Sequence, residues 1–135
     1  MIEITDKPIS PQKMIDKVKT DSSGCALAYI GLIRQESRSK LVLSVEYEDR
    51  KGTAAESLRR IAGEAGKKWQ LENIAICHRV GKLKVGDINL VVAVASAHRQ
   101  EAFAACQYII DQFKAVLPTH KKETYTDGSF LEAGE

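Results

Sequence analysis

"INLVVAVASAHRQEAFAACQYIIDQFK", residues 88 to 114, carries the reading of the fold. Residues 88–97 are apolar on both parities, the pattern of a central strand covered on both faces. From about His98 the period changes. Phe103, Cys106, Ile110, Phe113 and Leu117 recur three and four apart, while Ala105, Tyr108, Ile109 and Val116 widen the stripe. A long helix therefore runs to about Leu117, and Pro118 ends it. A helix this apolar is either central to the core or shared with a second subunit.

Working outward, "MIEIT" reads as a short edge strand, and Ser10-Pro11 as an N-cap with proline in the first turn of a helix to about Lys19. "GCALAYIGLI" (24–33) is a buried strand and "RQESRSK" (34–40) a polar loop. "LVLSVEYED" alternates, and the spacing predicts that it pairs antiparallel with the first of these strands across that loop. Thr53-Ala-Ala-Glu56 has the form of a capping box, opening a helix whose apolar face runs through Leu58, Ile61, Ala65 and Trp69. "IAICHRVGKL" reads as one strand. "HKKETYT" and "SFLE" flank Asp127-Gly128, a hairpin turn signal. The order β-α-β-β-α-β-β-α-β-β belongs to the α+β class.

A chain of 135 residues with 44% hydrophobic and 28% charged content is expected to form a single domain, residues 1–135, with a core that needs no metal or disulfide. The net charge of +2 is too small for a general nucleic-acid binder, so functional positive charge has to be local. The three cysteines, Cys25, Cys77 and Cys106, are far apart and flanked by apolar residues, which fits reduced core thiols. No signal-peptide-like run and no membrane-length apolar stretch is present, so a soluble cytoplasmic protein with no membrane association is expected.

Phosphate loops, dinucleotide fingerprints, HExxH and CxxC are all missing, and His78, His98 and His120 lack metal-ligand spacing, so no metal or cofactor is expected. The candidates that remain are basic residues at the ends of apolar elements. Arg34 ends a strand. His98 and Arg99 open the long helix, where outward amides and the dipole favour an anion. Lys114 follows Phe113 on the last turn, and Lys121 alternates with Lys122 across a strand. Clustered positive charge or partial burial lowers a lysine pKa toward neutrality, as general acid–base work requires. Each has an ordinary alternative: a solvated strand end, a surface turn, a lysine that complements the helix C-terminus.

Taken together, "GLIR", "VEYED", "ICHRVGKLKVGD", "VVAVASAHRQEAFAACQYIIDQFK" and "PTHKKE…DG" closely resemble the large, catalytic subunit family of molybdopterin synthase, from about Gly24 to Phe130. The resemblance implies a dimeric α/β hammerhead-type fold with a mainly antiparallel sheet and a long central helix. It implies a small ubiquitin-like sulfur-carrier subunit at each end of a homodimer, whose C-terminal Gly-Gly thiocarboxylate enters a pocket. Two sulfurs then pass to cyclic pyranopterin monophosphate, opening its cyclic phosphate and forming the molybdopterin dithiolene. On this resemblance Lys114 and Lys121 are the catalytic lysines, and Arg34 binds substrate. His98 and Arg99 also bind substrate, reaching the pocket from the other subunit. Tyr29, Ile110 and His120 fall at lining positions. Thr119 and His120 stand where the family usually has a bulky apolar residue and then tryptophan, and Phe130 where many members have tryptophan. Two other readings are a dimeric module that binds the carrier tail without chemistry, and a small anion- or nucleotide-binding domain.

Overall fold

The structure, a computed structural model, describes residues 1–134. Twelve elements follow in order: β1 (Ile2–Thr5), α1 (Pro11–Val18), β2 (Cys25–Leu32), β3 (Glu36–Ser37), β4 (Lys40–Glu48), α2 (Ala54–Trp69), β5 (Ile74–Arg79), β6 (Gly81–Leu83), β7 (Ile88–Ser96), α3 (Arg99–Val116), β8 (His120–Tyr125) and β9 (Phe130–Ala133). They build two sheets.

The first sheet has the order β1-β5-β7-β2, and only β1 and β5 run parallel. β7 is central, as its double-parity apolarity requires. Leu90, Val92 and Val94 face the core shared with α2 and α3, where Leu58, Ile61, Ala105, Ile109 and Phe113 pack. Val91, Ala93 and Ala95 point the other way, against Met14 and Val18 of α1. Each fully buried Val or Ile side chain contributes roughly 1.5–3 kcal/mol.

The second sheet is antiparallel, in the order β3-β4-β8-β9, with β6 on the other edge of β4 from β8. It has its own small core of Ile33, Val42, Val45, Tyr47, Leu83 and Tyr125.

Local signals mostly hold. The Ser10 hydroxyl accepts from Lys13 N–H at 3.3 Å with Pro11 in the first turn. α3 ends on Leu117 in the left-handed region (φ 49°), and Pro118 prevents its continuation. Gly128 at φ 87° turns the β8–β9 hairpin, while Asp127 Oδ1 accepts from Ser129 N–H at 2.8 Å.

Several expectations are corrected. β4 does not pair with β2; β2 takes the free edge of β7, and β4 joins β8. The cause lies in the segment read as a loop. Glu36 and Ser37 pair with Leu41 and Lys40 around Arg38 and Ser39, both at positive φ (54° and 62°), and this tight hairpin leads β4 into the second sheet. "IAICHRVGKL" is two strands, broken at Val80 before Gly81 (φ 101°), so that β5 stays in the first sheet and β6 crosses to the second. Thr53 makes no side-chain cap hydrogen bond, and Asp49 Oδ1 accepts from Ala54 N–H at 3.2 Å. Cys77 and Cys106 are buried, but Cys25 is only half-buried, at the start of an outer strand. No helix among the described residues is long and apolar enough to cross a membrane.

Candidate functional site

A cleft of about 570 Å³ opens where the two sheets meet the end of α3. Three elements bring cations to it. Arg34 arrives just past β2, Lys114 on the last turn of α3, and Lys121 on β8. Tyr29 lines it too. The Leu117-Pro118 break turns the chain from α3 into β8, so that Lys114 and Lys121 belong to one cavity. Lys114 is exposed and carries no hydrogen bond or ion pair among the described residues.

Lys121 has a partner. Its Nζ lies 3.7 Å from Oε2 of the buried Glu123, two residues along the same strand. Burial alone pushes the Glu123 carboxyl up. Hydrogen bonds from the Ser37 and Tyr125 hydroxyls, with the positive charges of Lys121 and Arg34, outweigh burial and hold the carboxyl below its usual range. The Tyr125 hydroxyl donates to Glu123 Oε1 at 2.7 Å. The cleft thus contains an ionised carboxylate beside its cations, which orients Lys121 rather than leaving it to wander.

Beneath the cleft lies a neutral network. His78 is fully buried, with Nδ1 2.9 Å from the Asn89 backbone oxygen and Nε2 2.9 Å from Thr119 Oγ1. Burial holds its pKa below the ordinary value, against weaker opposing effects of the Asn89 carbonyl and the Asp49 charge. Asn89 Nδ2 donates to Tyr47 Oη at 2.9 Å, and burial raises the Tyr47 pKa.

The other sequence candidates lie elsewhere. Ile110 packs against the main core, and His120, buried, points to β9 with Nε2 3.2 Å from Glu132 Oε1; neither lines the cleft. His98 and Arg99 are exposed at the start of α3, about 22 Å along the helix axis from Lys114, outside this cleft. Sequence reasoning passed over Glu123, Tyr47, Asn89 and His78. The period of two in Lys121-Lys122-Glu123 already places Glu123 on the face of Lys121; nothing comparable marks His78. Among the described residues no three His, Cys, Asp or Glu side chains gather as a metal ion would need.

The chain also resembles known proteins. The profile of a family described as "MoaE protein" matches residues 4–116. A molybdopterin synthase catalytic subunit of Bacillus subtilis is 36% identical over 93% of this chain and 80% of its own. One from Thermoplasma volcanium is 34% identical over 95% of this chain and 93% of its own. Among solved structures, molybdopterin synthase from Staphylococcus aureus superposes with a TM-score of 0.90 at 30% identity, covering 98% of this chain and 96% of that one. A complex of subunits 1 and 2 of the molybdopterin-converting factor from Helicobacter pylori shares the fold, with a TM-score of 0.76 at 14% identity over 99% of this chain and 90% of that one. By sequence and by its α+β hammerhead-type fold, the chain belongs to the MoaE family, whose curated relatives are molybdopterin synthase catalytic subunits.

Proposed function

We propose that this protein is a cytoplasmic sulfurtransferase, the catalytic subunit of a molybdopterin synthase. Its substrate is cyclic pyranopterin monophosphate, and its sulfur donor is the C-terminal Gly-Gly thiocarboxylate of a small ubiquitin-like carrier subunit. The whole chain serves as one catalytic domain. The observation that carries the reading is the convergence of Arg34, Lys114 and Lys121, from three different elements, on one cleft.

The chemistry fits that constellation. Thiocarboxylate, cyclic phosphate and the opened phosphomonoester are all anions, and Arg34 can hold phosphate through charge-assisted hydrogen bonds. Lys114 and Lys121 move protons at the departing oxygen. The sulfur comes from the partner, so no cysteine of this chain is consumed, in keeping with Cys77 and Cys106 lying away from the cleft. His98 and Arg99, at the far end of α3, would bind substrate in the cleft of a second copy, which favours a homodimer carrying one carrier at each end, a heterotetramer.

The test mixes the protein with thiocarboxylated carrier and the cyclic precursor and measures molybdopterin formed. Lys114→Ala should lose about 100-fold or more of turnover, with the dimer intact by light scattering. Turnover equal to wild type in that variant overturns the role of Lys114. Carrier binding without product would make the wild type a docking module, and nucleotide binding without carrier would make it an anion-binding domain.

A further inference from the structure

The hydrogen-bond polarity beneath the cleft can be worked out atom by atom. His78 is neutral at pH 7, since burial disfavours its charged form, and the Tyr47 and Phe113 rings pack edge-on against it with centroids at 4.9 and 5.1 Å. A neutral imidazole has one donor nitrogen and one acceptor. The Asn89 carbonyl only accepts, so Nδ1 carries the proton and Nε2 is bare. The Thr119 hydroxyl therefore donates its single proton to Nε2. Towards the cleft it has lone pairs alone, and its polarity is locked as an acceptor.

A second acceptor lies on the same wall. With Nδ2 of Asn89 committed to Tyr47 Oη, Oδ1 is buried and has no hydrogen-bond partner among the described residues. Buried acceptors are costly to leave unpaired. Gly31 borders this oxygen: a Cβ there would stand 2.7 Å from Asn89 Oδ1, so only a residue without a side chain fits beside it. Gly31, Asn89 and Thr119 all line the cleft.

We infer that Thr119 and Asn89 form an acceptor-only subsite that receives an uncharged N–H edge of a bound ligand, while Arg34, Lys114 and Lys121 take its anionic end. The inference deepens the proposed function and rests on it. Both ligands of that reaction offer such an edge: the backbone amides of a Gly-Gly tail, and the ring and amino N–H groups of a pterin. A hydroxyl with no proton to give repels an anion, so it sorts the two ends of either ligand.

The experiment titrates the full chain by calorimetry with two probes, the carrier ending in a Gly-Gly carboxylate and cyclic pyranopterin monophosphate. Wild type, Thr119→Val and Thr119→Ser are compared, and thermal unfolding confirms that each is folded. Valine keeps the shape without lone pairs and should weaken binding roughly 3- to 10-fold, with serine restoring it. Loss restored by serine in either titration supports the inference, and the probe that weakens identifies the source of the N–H edge. Unchanged binding of both probes by Thr119→Val overturns it, as does any loss that serine fails to restore, which would make Thr119 a packing residue. A wild type that binds neither probe overturns the functional reading itself, a different result from a wild type that binds and a valine variant indistinguishable from it.

Discussion

Lys121 Nζ sits 3.7 Å from Glu123 Oε2, on the same face of β8 and inside the same cleft. A carboxylate in the proposed anion-binding site opposes such binding unless it does something else. Here it holds one ammonium in place, and the hydroxyls of Ser37 and Tyr125 hold it in turn.

Glu123→Gln keeps the shape of that side chain and removes its charge. Lys121 then loses its orienting partner, while the cleft gains net positive charge. Turnover should fall roughly 10-fold from lost positioning, with the KM for the phosphate-bearing substrate unchanged or lower. Steady-state kinetics separates the two effects, and a variant with unchanged kcat would show that the pair is not used in catalysis.

His78 gives the fold a pH dependence of known sign. Its folded pKa lies below the ordinary 6.5, so in acid the unfolded chain binds a proton that the folded chain resists. Stability from this group is complete above about pH 6.5 and is lost as pH falls towards the folded value. Urea midpoints measured from about pH 7.5 down to 5 should decline. His78→Gln should be less stable throughout, by about 1–3 kcal/mol for the broken buried hydrogen bonds, and should show a flatter decline.

Gly24 tests the junction before β2. Its N–H donates to the Ser96 oxygen at 2.8 Å, and a Cβ there would stand 2.1 Å from the Ala97 backbone oxygen. Backbone on both sides would have to move. Gly24→Ala should cost about 1–3 kcal/mol, read as a lowered thermal midpoint, whereas Gly63→Ala, with open space at its Cβ, should be tolerated.

The thiols should separate by reactivity. Burial, with a smaller contribution from Glu3, pushes the Cys77 thiol up to about 11, and burial also raises Cys106. Only the thiolate reacts. Native protein treated with iodoacetamide near neutrality should be alkylated at half-buried Cys25 first, with Cys77 and Cys106 protected until unfolding; peptide mass spectrometry reads the order.

Much of this architecture is legible in local pattern. Residues 88–97 had to be covered on two sides because both parities are apolar, and the Ser10-Pro11 start and Asp127-Gly128 turn follow from the chemistry of a few adjacent residues. The basic residues at element ends were visible too, and Arg34, Lys114 and Lys121 do share one cleft. Period and turn chemistry act over a few residues, so the chain itself states them.

Strand partnership and burial act over the whole chain, and those the tertiary structure decided. Whether β4 pairs with β2 or β8 depends on where distant segments meet, and β2 lies against β7, 56 to 71 residues away in sequence. The same holds for His78. As a residue between Cys77 and Arg79 it is one imidazole in an apolar strand. Only the packing of Tyr47, Phe113, Asn89 and Thr119 around it removes its charge and turns the Thr119 hydroxyl into an acceptor. Residue types and their spacing placed basic side chains at the ends of apolar elements. Desolvation and hydrogen-bond direction, which exist only once distant segments meet, decided the polarity of the cleft walls.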